Sequence, residues 1–282
     1  LDAPYRRLLW YANGLFWLFY GDNTGLFFRT STDGSTWSAA TSLGSSGGNR
    51  SSQLATWVNG TTLYYAAGHN VTWRYIYFRK GNLNADGTIT WAANEQVVHD
   101  TGTTSWQAVP YGIVIDGDGY PFVICMRESG INTYSTVIKS STNDGTWVTD
   151  TAAGFPYNFI TATGSPGLVG FIVPLTGNKI YAGYIQSTAL GASPCVGRLW
   201  SGSAWGDAET PTSNFMGNAY QHSVVAIGDI VYFSYPSQDA TGAKMAIRSA
   251  AGSWSQTTIH TLDSPGAQSI TSLTVVGSDI YA

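Results

Sequence analysis

A module of roughly fifty residues recurs along this chain, and that repeat constrains the fold more than any other feature. A turn pair followed by an aromatic or β-branched run appears at Asn13-Gly14, Asn59-Gly60, Asp118-Gly119, Gly177-Asn178, Gly228-Asp229 and Gly277-Ser278. The glycines of these pairs are spaced by 46, 59, 58, 51 and 49 residues. Asn-Gly between apolar runs marks a two-residue hairpin, because a type I′ turn needs positive φ at both central residues. A second landmark is a tryptophan just after a glycine-containing turn: Trp37, Trp91, Trp147, Trp205 and Trp254, at steps of 54, 56, 58 and 49. The two series interleave in order. Each unit reads strand, tight turn, aromatic strand, longer loop, strand, glycine turn, tryptophan strand.

Four antiparallel strands per repeat define the blade of a β-propeller. The expectation is an all-β chain of about six four-stranded blades, the last one incomplete. One domain spans 1–282, with blades near 6–50, 51–104, 105–162, 163–218, 219–265 and 266–282. No window of eleven or more residues carries apolar side chains at helical spacing. A β-sandwich also has many short strands, but nothing in that architecture requires a four-strand module with a fixed aromatic. The last unit stops within its second strand, so either further chain or a neighbouring subunit is expected to cover its edge.

Composition narrows the function classes. Charged residues make up 11% and aromatics 14% of the 282 residues, the reverse of a disordered chain. The thirteen Lys and Arg are scattered, with no run to follow a phosphate backbone, so nucleic acid is not an expected partner. No apolar run reaches membrane-spanning length. Three N-x-[ST] sequons, at Asn49, Asn59 and Asn70, and abundant Ser, Thr and Trp point to a secreted protein or one on a cell or virion surface. Two cysteines, Cys125 and Cys195, leave either one bridge or two buried thiols. Asp116-Gly117-Asp118-Gly119 reads as a tight turn rather than a calcium loop, since further acidic ligands are lacking. No metal or cofactor is expected.

Ser31-Thr32-Asp33-Gly34-Ser35-Thr36-Trp37 resembles the Asp-box, the bacterial neuraminidase repeat of sialidase-like propellers, with one residue fewer between Asp and Trp. Ser141 to Trp147 repeats the spacing with Asn143 in the aspartate place, Asn84 to Trp91 keeps the Asp-Gly at Asp86-Gly87, and Trp200 to Trp205 and Ser249 to Trp254 are more degraded copies. The resemblance implies structural turns: Ser31, Asp33 and Gly34, or Ser141 and Asn143, shape the turn, while Trp37 and Trp147 pack between blades. A sialidase-like active site would also have an arginine triad, a Tyr–Glu nucleophile pair and an acid/base Asp. Tyr5-Arg6-Arg7-Leu8 resembles the family's N-terminal arginine motif without its Ile and Pro, and only Glu95, Glu128 and Glu209 supply glutamates.

Propeller ligands sit at the channel mouth, where the innermost strands begin. Gln53, Gln107, Gln221 and Gln268 stand at or near that point in four blades, and Arg6 and Arg7 in the first. Arg50, Trp106, Tyr220 and His222 flank them. Amides bond sugar hydroxyls and aromatic rings stack on pyranose faces, so the set suits a glycan or polysaccharide. The same glutamines could equally tie blade to blade. For chemistry, the candidates are Glu128, Asp116 and His222, the last being the best placed of His69, His99 and His222 for a lyase base. The expectation is an extracellular glycan-binding or surface-assembly propeller. The alternative is a carbohydrate-active enzyme, a sialidase-like glycoside hydrolase or a polysaccharide lyase, acting at the channel mouth.

Overall fold

A computed structural model describes residues 7–22, 24–44, 54–68, 74–103, 107–163, 167–187, 194–213, 215, 222–237, 242–261 and 272–282. It is an all-β propeller. Blade one is β1 (Leu9–Ala12), β2 (Leu15–Gly21), β3 (Leu26–Ser31) and β4 (Thr41–Ser42). Blade two is β5 (Leu54–Asn59), β6 (Thr62–Gly68), β7 (Tyr75–Leu83), β8 (Ile89–Trp91) and β9 (Gln96–Asp100). Blade three is β10 (Ala108–Ile115), β11 (Pro121–Ser129), β12 (Asn132–Lys139) and β13 (Tyr157–Thr163). Blade four is β14 (Gly167–Pro174), β15 (Ile180–Ser187) and β16 (Cys195–Trp200). Blade five is β17 (Ser223–Ile227), β18 (Ile230–Pro236), β19 (Gly242–Arg248) and β20 (Trp254–Thr261), and a hairpin of β21 (Thr274–Val276) and β22 (Asp279–Tyr281) follows.

Every paired strand is antiparallel to the next, in sequence order from the first strand outward. The described residues therefore build five blades and one two-stranded sheet, not six four-stranded blades. Two blades depart from the four-strand rule. The outer edge of blade two is divided, because β7 is long enough to pair β8 at one end and β9 at the other. In blade four the outer segment forms no described strand and pairs with β16 at the single bridges Gly197–Glu209 and Trp200–Trp205.

All six landmark glycines, at 14, 60, 119, 177, 228 and 277, adopt positive φ in the turn between a blade's first and second strands. Asn13 joins Gly14 at φ 52°, the double-positive turn that Asn-Gly favours.

The core lies between blades, in three clusters. Trp17, Phe19, Leu54 and Tyr65 join blades one and two. Ala66, Phe78, Val123, Cys125 and Trp147 join two and three. Phe122, Ile124, Phe171, Tyr181 and Phe233 join three, four and five. Strand alternation explains the division: odd residues of β11 face blade two and even residues face blade four. Cys125 and Cys195 are free, buried thiols in different clusters, and burial pushes the Cys125 thiol up to about 12.

The seam tryptophans lock adjacent blades. Trp205 of blade four stacks on Tyr157 of blade three at 4.8 Å, and its Nε1–H donates to the Gly154 carbonyl at 3.0 Å. Trp254 of blade five donates to Glu209 Oε2 at 2.8 Å and lies 5.7 Å from the Tyr181 ring of blade four. Trp37 is only half-buried. In the first turn the Ser31 hydroxyl accepts from Gly34 N, and Asp33 Oδ1 accepts from Ser35 N and Thr36 N. The Thr36 and Ser35 N–H groups, with the Ser31 hydroxyl that donates to the same oxygen at 2.9 Å, hold the Asp33 carboxyl well below the usual carboxylate range. In the third blade the roles fall on residues the spacing did not single out. Ser140, not Ser141, accepts from Thr142 N, and Asp144, not Asn143, accepts from Thr146 N. Asn143 instead reaches across to the Asp118 carbonyl, because its side chain projects toward the hairpin turn of its own blade.

Candidate functional site

The first strands of all six sheets line one central cavity of about 620 Å³. β1, β5, β10, β14, β17 and β21 begin at the same end of it, which defines the mouth. Of the residues expected there, the wall contains Arg7 and His222. Arg6, Arg50, Gln53, Trp106, Tyr220, Gln221 and Gln268 lie outside the described residues. His222 is fully buried, with its ring 5.5 Å from Phe233 and 6.1 Å from Phe171. Those neighbours hold the imidazole as part of the inner wall. Arg7 lies with its guanidinium carbon 4.1 Å from the Trp10 ring centroid and its Nε–H on the Leu9 carbonyl at 3.4 Å.

Gln107 and Glu128 stand beside the mouth without entering the cavity wall. They are joined twice. The Gln107 N–H donates to Glu128 Oε2 at 3.0 Å, and the Glu128 N–H donates to the Gln107 carbonyl at 2.8 Å. This contact fixes the Glu128 carboxylate where β11 ends, on the blade-four side. Arg127 turns the other way, toward blade two. Its Nε and Nη2 donate to Thr136 Oγ1 and Asn158 Oδ1, each at 3.0 Å, and its guanidinium carbon lies 4.6 Å from the Tyr134 ring centroid. Burial, reinforced by the Arg127 charge, lowers His99 to about 4, so this imidazole is neutral at pH 7. Arg74 and Asp100 form a two-pronged ion pair at the same end.

Asp116 does not belong to this group. It lies nine residues from Gln107 along the same strand, roughly 30 Å at ~3.3 Å per residue. Its Oδ1 accepts from the backbone of Asp118 at 3.0 Å and Tyr120 at 2.9 Å, and burial raises its pKa. Around it the turns of blades three to five clasp one another. Gly117 N–H donates to the Gly177 carbonyl at 2.8 Å, Asn178 Nδ2 to Asp118 Oδ2 at 2.5 Å, and Thr176 N–H to Asp229 Oδ1 at 3.0 Å. Asp116 therefore organises the turn face, opposite the mouth.

Sequence reasoning passed over Trp10, Thr56 and Trp57 in the wall. Trp10 Nε1–H donates to Thr56 Oγ1 at 2.9 Å, and the Trp10 and Trp57 rings meet edge to face at 5.7 Å. The signal was available, since aromatics on a first strand must face either a neighbouring blade or the channel. Among the described residues, no Asp or Glu enters the cavity wall.

The fold and this cavity define the class: a β-propeller with an aromatic-lined central channel. No protein-family model and no curated protein matches the chain. Solved structures do resemble it. The Trypanosoma rangeli sialidase in complex with the inhibitor DANA matches with a TM-score of 0.59 at 14% identity, over 98% of this chain and 52% of that one. The chain thus spans about half of that sialidase. The α-L-arabinofuranosidase Arb93A from Fusarium graminearum matches with a TM-score of 0.57 at 12% identity, over 98% and 87% of the two chains. At these identities the likeness is one of fold, a sialidase-like β-propeller.

Proposed function

We propose that this chain is the propeller of a carbohydrate-active enzyme, a glycoside hydrolase taking its saccharide at the channel mouth. The observation that carries the reading is Glu128, a half-buried carboxylate held at the mouth end by the Gln107 backbone. The two solved propellers named above, each aligned over 98% of this chain, are glycosidases by name. Asp33 and Asp144 support the Asp-box reading of the outer turns, since each accepts backbone donors inside its turn. In this reading residues 1–282 form one propeller domain of a secreted or surface protein, with Arg7, Gln107 and His222 contacting sugar.

A second reading is favoured by one observation. Glycosidic cleavage uses two carboxyl groups, about 5 to 9.5 Å apart, and the described channel wall holds none. A glycan-binding propeller without turnover needs only the polar and aromatic rim. One experiment separates the two: incubate the protein with aryl arabinofuranosides, aryl sialosides and plant and bacterial polysaccharides, and measure released sugar beside calorimetric binding. Turnover lost in Glu128→Gln supports the enzyme. Saturable binding with no turnover, unchanged in Glu128→Gln, supports the binding module.

A further inference from the structure

One blade face carries an uncovered apolar surface. The core clusters join blades one and two, two and three, and three through five, and among the described residues none joins the β21–β22 hairpin to blade one. Strand alternation sends Trp17, Phe19 and Phe28 into the cluster shared with blade two. It turns Leu9, Tyr11, Phe16, Leu18, Tyr20 and Phe27 to the opposite face, where Leu9–Leu18, Tyr11–Phe16 and Tyr20–Phe27 are cross-strand pairs. The rings of the last two pairs lie 4.9 and 5.9 Å apart. Leu9 and Tyr11 are 49% and 64% exposed, as are Val276 and Tyr281 of the hairpin at 61% and 55%. Apolar side chains clustered in this way mark an interaction surface.

Two observations say what fits against it. The first is a backbone edge. In each of the five blades the second strand pairs a third strand, whereas β22 pairs β21 alone among the described residues. An unpaired edge is a template for a further strand. The second is Trp37. Trp147, Trp205 and Trp254 each seat on a ring of the preceding blade, at Phe78, Tyr157 and Tyr181. The sheet that precedes blade one around the cavity is β21–β22. Trp37 is half-buried there and, among the described residues, meets no aromatic ring. By the seam rule of the other blades, its counterpart belongs on strands added outside β22.

We infer that this edge accepts a β-hairpin donated by a partner protein. The hairpin pairs with β22 as the third and fourth strands of the sixth blade. Its apolar face lies on Leu18, Tyr20 and Phe27, and one of its aromatic side chains seats Trp37. Main-chain hydrogen bonds supply the affinity and the alternating side chains the selectivity. The surface is separate from Gln107 and Glu128, which belong to blade three.

The probe is a synthetic peptide of residues 132–163, the chain's own outer strand pair that bears the Tyr157 and Phe159 seat for Trp205. The protein is labelled with fluorotryptophan, and the Trp37 resonance is assigned with Trp37→Phe. The expected result is a saturable shift of the Trp37 signal on titration, with the Trp205 signal unmoved. A peptide carrying Tyr157→Ser and Phe159→Ser is expected to leave Trp37 unshifted. Leu18→Lys and, separately, Phe27→Ser are expected to weaken binding on the order of tenfold or more, while circular dichroism confirms the fold. Ile131→Lys, at an exposed position in blade three, binds as the parent does. A Trp37 signal unmoved at millimolar peptide overturns the proposal. So does slow hydrogen exchange at the β22 amides in the protein alone, which would place the chain's own residues on that edge. A dimer in sedimentation that Leu18→Lys dissociates overturns it in favour of a second copy.

Discussion

The ring of Trp147, in blade three, lies 5.0 Å from the ring of Phe78, in blade two, and both side chains are buried. That contact repeats the rule of the molecule: a tryptophan from one blade's outer turn seats in the blade before it. Trp147→Ala removes the ring and leaves a cavity between two sheets that cannot slide together, because each is tied to the channel. The expected loss is ~3–5 kcal/mol of unfolding free energy, measured by guanidinium titration. Trp37→Ala, at a half-buried position, is expected to lose less than half as much.

Arg248 and Glu209 make a second seam. Their two contacts, both 2.7 Å, join an arginine only 4% exposed to a carboxylate that also accepts from Trp254. Burial alone would raise the Glu209 carboxyl, but the Arg248 and Trp254 donors outweigh it and hold it below its ordinary value. Removing one partner strands the other, so Arg248→Ala is expected to cost ~3 kcal/mol. The double variant Arg248→Met with Glu209→Leu is expected to recover most of that. Thermal melts of the three variants give the double-mutant cycle.

His99 sets a pH dependence. Its folded pKa of about 4 lies below its unfolded value of 6.5. Between those values the unfolded chain binds the extra proton, so stability rises with pH. The contribution is complete above pH 6.5 and is lost as pH falls to about 4. The loss is on the order of 3 kcal/mol. In His99→Gln the pH dependence of stability flattens across that window, so its difference from the parent protein changes between pH 4 and 7, read from urea midpoints at pH 4, 5.5 and 7.

Glu128→Gln keeps the oxygen that accepts from the Gln107 N–H and removes only the charge. Its melting temperature is therefore expected to stay within a few degrees of the parent's. Any glycoside turnover at the mouth is expected to fall by at least a hundredfold, the scale of a lost general acid or base. Asp116→Asn behaves in the opposite way, with turnover unchanged, because Asp116 shapes a turn at the far end of the strand.

How much of this was legible in the sequence follows from the range of each interaction. Asn13-Gly14 and the five later glycines declare their turns because positive φ is a local property of the residue itself. Trp147 and Trp205 could be expected at seams because their period matched the glycines. The exchange of roles from Asn143 to Asp144 could not be read, since a turn of this kind tolerates a one-residue slip without changing its outline. Nor could the Arg248–Glu209 pair, whose members are 39 residues apart in different repeats. At the mouth, spacing located Arg7, Gln107 and His222 at strand starts. It could not tell that His222 joins the cavity wall while Gln107 stays outside it and meets Glu128 through its backbone.

The seating of Trp205 on Tyr157 and Phe159 has a practical consequence. Polypeptide severed between the third and fourth blades would leave one piece bearing the aromatic socket and the other bearing its plug. Two separately produced fragments therefore carry the means to recognise each other, and their reunion would restore the indole environment of a single residue as an optical reporter of assembly.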